Sequence, residues 1–293
     1  MNSAQRLRRY LRTPKGLLIV ILAVLVAIAA GHDGWRVIGP GVGSAVLCAG
    51  VLDALILRWR RGRWEFPDGA ILSAMLVAMV ISAQQPWPQT AITAVVAIVS
   101  KYVFRSRAAN VFNPAAFALV ATFYAFDTGQ SWWGALPAPS PLREILVIGT
   151  GVFIADRVNR MPLMLAFLGA YYGLFTASAF LSNPAAVAEV FRTPDLQAAL
   201  FFAVFILTDP PTSPVKYPEQ IVFAVIVAVV SFAVFKWVGA AYYLLAGVLV
   251  GNVWEAWRRV SRRTGETFPT GMASFLRELS PWRRPVLTRS AHQ

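Results

Sequence analysis

Long apolar runs alternate along this chain with short polar stretches rich in proline, glycine or arginine. Ten runs read as helical membrane spans: roughly 17–31, 37–57, 69–85, 90–105, 112–126, 141–157, 163–181, 196–208, 219–237 and 239–257. A helix needs about 20 apolar residues to cross a bilayer, and two of the runs fall short in the same way. The third, Gly69–Ser82, runs into Gln84-Gln85-Pro86-Trp87-Pro88. The eighth, Leu196–Leu207, runs into Thr208-Asp209-Pro210-Pro211-Thr212-Ser213-Pro214. Each follows an aspartate, Asp68 or Asp195. Ten spans divide into five and five, and an odd number per half inverts the second half. The expected fold is therefore all-α and polytopic: about ten transmembrane helices in an inverted five-plus-five repeat, with the third and eighth interrupted. Bare backbone at membrane depth survives only where it is buried in protein or lines a cavity. Paired broken helices thus point to a binding site.

Charge fixes the orientation. Residues 1–16 carry Arg6, Arg8, Arg9, Arg12 and Lys15 with no acid. Basic loops collect on the cytoplasmic side. Alternation places Arg58, Arg60, Arg61 and Arg63 on that side too, with Lys101, Arg105 and Arg107, then Arg157 and Arg160, then Arg258, Arg259, Arg262 and Arg263. The opposite loops, 83–89, 127–140 and 182–195, are nearly free of Lys and Arg. Three regions follow: a basic cytoplasmic segment 1–16, a transmembrane domain 17–257 and a basic cytoplasmic tail 258–293, in a bacterial inner membrane. The basic leader, the run Leu17–Ala30 and Ala27-Ile28-Ala29 also resemble a cleavable signal. An uncleaved first span completes the symmetric set. Trp132 and Trp133 read as an ordinary interfacial belt.

Composition narrows the chemistry. Charged residues make up 14% of the chain, against about a quarter in soluble domains. The net charge of +13 belongs to the inner loops and carries no expectation of nucleic-acid binding. Cys48 is the only cysteine, so an internal disulfide and a four-cysteine iron–sulfur cluster are excluded. His32 and His292, the two histidines, lie at a span end and in the tail and cannot face each other across a haem. No metal site is expected. Any redox cofactor is organic or shared with a partner.

Two stretches can hold a ligand. Asn113 before Pro114 reads as a helix N-cap followed by a first-turn proline. The helix start offers N–H groups and partial positive charge, with Lys101, Arg105, Arg107 and Asn110 just upstream. The second stretch brings the hydroxyls of Thr208, Thr212 and Ser213 and the carboxylate of Asp209 to the same side. As structure alone, these groups mend the backbone freed by the prolines. Asp209 is either a site residue or a solvated carboxylate at headgroup level. Asp53, inside the second span, is a candidate for an ion pathway. Its structural alternative is a snorkelling or Arg58-paired carboxylate.

Asn110-Val111-Phe112-Asn113-Pro114-Ala115, the Thr208–Pro214 stretch and Asp68-Gly69 at the start of span three resemble the NqrB/RnfD family over about residues 60 to 255. These are membrane subunits of sodium-pumping NADH:quinone reductase and of the Rnf complex. The resemblance implies an inverted five-span repeat related to urea channels. It also implies a flavin, electron transfer coupled to Na⁺ or H⁺ movement, and other subunits of a membrane redox complex as partners. One motif departs from the family. Members attach FMN to the threonine of a Ser-Gly-Ala-Thr sequence in the outer loop before span six, where this chain has Pro137-Ala138-Pro139-Ser140. Ser140 keeps a hydroxyl, but proline fixes φ and removes an N–H, which disfavours docking into the transferase. A non-covalent FMN or riboflavin is expected, held by Lys101, Asn110, Asn113, Pro114, Thr208, Asp209, Thr212 and Ser213. The alternatives are a small-solute transporter or channel of the same fold, and an accessory membrane subunit of a biosynthetic cluster.

Overall fold

A computed structural model describes residues 9–106, 109–136, 141–181 and 195–264, with Gln5, Ala188 and Phe191 besides. Arg107, Ser140 and most of the tail, 265–293, lie outside the described residues. Among the described residues ten main helices follow one another, and each falls on one of the ten expected spans. They are α1 (Pro14–Asp33), α2 (Trp35–Arg61), α3 (Asp68–Val80), α4 (Trp87–Val103), α5 (Pro114–Phe126), α6 (Pro141–Arg157), α7 (Met161–Leu181), α8 (Asp195–Phe201), α9 (Tyr217–Ala233) and α10 (Tyr243–Thr264). A π-helical turn continues α8 over Phe202–Ile206, and another continues α9 over Val234–Val238.

Local chemistry accounts for the boundaries. Proline stands in the first turn of α1, α4, α5 and α9, where its missing N–H costs no helical bond. Thr13 caps α1 by accepting from Gly16 N–H at 3.1 Å. Gly62, in the left-handed region at φ 71°, ends α2. The fold is an all-helical polytopic membrane fold. α1, α2, α7 and α9 with its π turn are long and apolar enough to cross a membrane alone. α3, α5 and α8 with its π turn are shorter. α3, with 13 residues, reaches only about 20 Å against a core about 30 Å thick.

The two halves repeat their packing. In the first, α2 lies along α4, α4 along α5, and α1 against α3; in the second, α7 lies along α9, α9 along α10, and α6 against α8. α10 runs on to Thr264, past the expected start of the tail at 258. Ion pairs explain the extension: Glu255 accepts from Arg258 at 2.7 Å and from Arg259 at 2.7 Å, one turn apart on the same helix.

Trp132 and Trp133 correct the belt reading. They are buried, and Trp132 meets the rings of Phe201 and Phe202 edge-on, each at 6.4 Å. The reason lies at the end of α3. Its last carbonyl, on Val80, has no helical partner and accepts from the N–H groups of Ser131 and Trp132 at 3.0 and 3.1 Å. The loop is drawn inward to supply them. Gly134 permits the approach, since a Cβ there would sit 2.5 Å from Met79 Cβ.

The alternation makes a direct prediction. Arg60 and Gln84 are exposed at opposite ends of the helices. In a Cys48→Ser background, an impermeant maleimide should reach Arg60→Cys only from the cytoplasm and Gln84→Cys only from outside. Labelling of both from one face would overturn the topology.

Candidate functional site

A cavity of about 820 Å³ opens among the starts of α1, α3 and α5 and the ends of α6 and α8. These are the ends that alternation assigns to the basic side. Lys101, Asn110, Asn113, Pro114, Thr208 and Asp209 all line it. Thr212 and Ser213 stand behind the wall. Thr212 Oγ donates to Asp209 Oδ2 at 2.9 Å, and Ser213 Oγ donates to the Asp209 carbonyl at 2.8 Å. They hold the turn that presents Asp209.

The broken helix is mended by side chains. The π turn leaves carbonyls off the α-helical ladder. Thr208 Oγ donates to the Val204 carbonyl, and Asn113 Nδ2 donates to that of Ile206 at 3.2 Å. Asn113 is the N-cap expected from Asn-Pro: its Oδ1 accepts from Ala116 N–H at 3.1 Å. One amide thus caps α5 and ties it to α8.

Behind these lies Asn252, 1% exposed in the middle of α10. Its Oδ1 accepts from Asn113 N–H at 2.8 Å, and its Nδ2 donates to the Thr212 carbonyl at 3.2 Å. Buried Arg160 donates from Nε to Ser213 Oγ at 2.8 Å. Arg259 donates to the carbonyls of Pro211 and Ser213 at 2.8 and 3.0 Å. The sequence reading missed all three as parts of the site. Arg160 and Arg259 looked like topology charges among others. Asn252 gave one usable signal, a lone amide inside an apolar run.

Asp53 does not snorkel and does not pair with Arg58. It is 1% exposed, Lys101 Nζ lies 3.1 Å from its Oδ1, and Tyr102 Oη donates to it at 2.6 Å. Arg58 instead turns to the Gly62 carbonyl at the end of its own helix. Lys101 therefore joins Asp53 to the cavity. Asp53 itself is not among the lining residues. Among the described residues no cluster of His, Cys, Asp and Glu is arranged to hold a metal ion.

Residues 2–145 match the model of the NQR2, RnfD, RnfE family. That match is consistent with an NqrB/RnfD-type family member. The matched stretch carries the Asn110–Ala115 motif and the starts of α1, α3 and α5, while the Thr208–Pro214 stretch lies beyond it. No curated protein matches the chain. The family match and the apolar helices point to a membrane-embedded protein, and the match supports a subunit of a multi-subunit, ion-translocating electron transport complex.

Proposed function

We propose that this chain holds a flavin, FMN or riboflavin, non-covalently in the cavity, as the membrane subunit of an electron transport complex that moves Na⁺ or H⁺. Its setting on this reading is a bacterial plasma membrane, with the cavity and both termini on the cytoplasmic side. One observation carries the reading: two motifs far apart in sequence meet on a single cavity of about 820 Å³. That volume falls in the usual range of small-molecule sites, about 300–1,000 Å³.

The residues fit a planar ring with one polar edge. Leu72, Leu76, Ile154, Val204 and Phe205 offer apolar faces, while Asn110, Thr208 and Asp209 offer polar contacts. A bound flavin supplies the electron-accepting and electron-donating chemistry, and the protein's part is to place and tune it. The Asp209 carboxylate sets a negative charge beside the ring and disfavours an anionic reduced form. Lys101, already paired with Asp53, keeps a cationic group at the wall without an unpaired buried charge.

The purified protein should be yellow, with a flavin absorption that passes into the protein-free filtrate on denaturation. Asp209→Asn should raise the reduction potential while the protein stays folded. A colourless protein that passes small solutes in liposomes would favour the transporter reading instead. After denaturing electrophoresis no fluorescent band should remain. A band that vanishes in Ser140→Ala would show covalent attachment after all.

A further inference from the structure

One polar atom of a cavity-lining residue is left without a partner among the described residues. Tyr10 lines the cavity from the segment that precedes α1, and its hydroxyl oxygen is buried without a hydrogen-bond partner among the described residues. Buried polar groups normally find a partner. Burial, with the Asp68 carboxylate nearby, pushes this hydroxyl's pKa above its ordinary value, so it stays a donor at neutral pH.

The arm that carries Tyr10 is built to stay where it is. Thr13 donates twice to the Tyr10 carbonyl, from N–H at 2.9 Å and from Oγ at 2.7 Å. The Tyr10 ring meets Phe66 edge-on at 5.6 Å. Lys15 Nζ lies 3.0 Å from Asp68 Oδ1, which ties the arm to the start of α3. Gly16 makes the fold-back possible: a Cβ there would stand 2.3 Å from the Tyr10 carbonyl oxygen, a backbone atom that cannot swing aside. Tyr10, Thr13, Pro14 and Lys15 together form one wall of the cavity.

We infer that this N-terminal arm is a working part of the binding site: it walls the cavity, and the Tyr10 hydroxyl donates a hydrogen bond to the ligand's polar edge. The flavin arm of the test rests on the function proposed above; the wall itself does not. The ligand complement is an acceptor, such as a ring carbonyl or a phosphate oxygen. Comparing FMN with riboflavin separates the two, because only the first carries phosphate.

Flavin-depleted protein in detergent is titrated with FMN and with riboflavin, followed by fluorescence quenching. Tyr10→Phe keeps the ring against Phe66 and removes only the donor. It should raise Kd about five-fold, the worth of one ordinary hydrogen bond. A rise for FMN alone marks phosphate as the acceptor, and a rise for both marks the ring. Gly16→Ala should raise Kd at least as much, with an unchanged melting temperature showing that α1 still packs. Unchanged Kd in both variants would overturn the inference. If wild type binds neither flavin, the proposed cofactor is wrong and the arm is judged separately. In a Cys48→Ser background, Ser73→Cys places a thiol on the cavity wall. Faster maleimide labelling of that thiol when Gly16→Ala is added supports the wall; an unchanged rate overturns it.

Discussion

Lys101→Met should destabilise the protein by about 3–5 kcal/mol, because it strands the Asp53 carboxylate inside the bundle. Asp53 is 1% exposed and leaves α2 with two partners, Lys101 at 3.1 Å and Tyr102 at 2.6 Å, both from α4. Methionine matches the lysine stem, so packing changes little and the charge changes fully. Tyr102 keeps its bond in the variant, which places the loss toward the lower end of that range. Asp53→Asn combined with Lys101→Met removes the stranded charge and should recover most of the loss. Thermal melting in detergent reads both. A double variant no better than the single would mean that Lys101 acts through the cavity and not through Asp53.

Asn252→Ala should cost about 2–5 kcal/mol. Two backbone groups lose their partners together, Asn113 N–H and the Thr212 carbonyl. Each buried group left bare costs about 1–3 kcal/mol. The damage should reach the cavity, since Asn113 caps α5 on one side and Thr212 holds Asp209 on the other. Bound flavin should therefore fall with stability in this variant, unlike in Asp209→Asn. Wild-type melting in Asn252→Ala would show that water replaces the amide without loss.

The ten helices were legible because the signals that make them are local. Apolar runs end in arginine or proline, and first-turn prolines mark six starts, those of α1, α4, α5, α6, α7 and α9. The Asn113 cap was legible for the same reason, since its acceptor and its Ala116 donor lie three residues apart. The π turn at Phe202–Ile206 was not: Phe-Ala-Val-Phe-Ile is ordinary helix sequence, and only the partners offered by Thr208 and Asn113 make the wider turn affordable. The site was half legible. Its two motifs announced themselves, but the groups that join them come from distant helices. Asn252 meets a residue 139 positions away, and Lys101 meets Asp53 48 positions away. No local pattern encodes such pairs. The tryptophans misled because an aromatic pair in an outer loop has the composition of a belt, and only the bare carbonyl ending α3 draws it inward.

That carbonyl also sets an order of assembly. A nascent chain enters the bilayer helix by helix, and α3 is too short to settle there alone. The donors that finish it, Ser131 and Trp132, are made only after α4 and α5 have followed. The first half of the bundle therefore locks as one five-helix unit, and its closing event is the arrival of a loop rather than the docking of a helix.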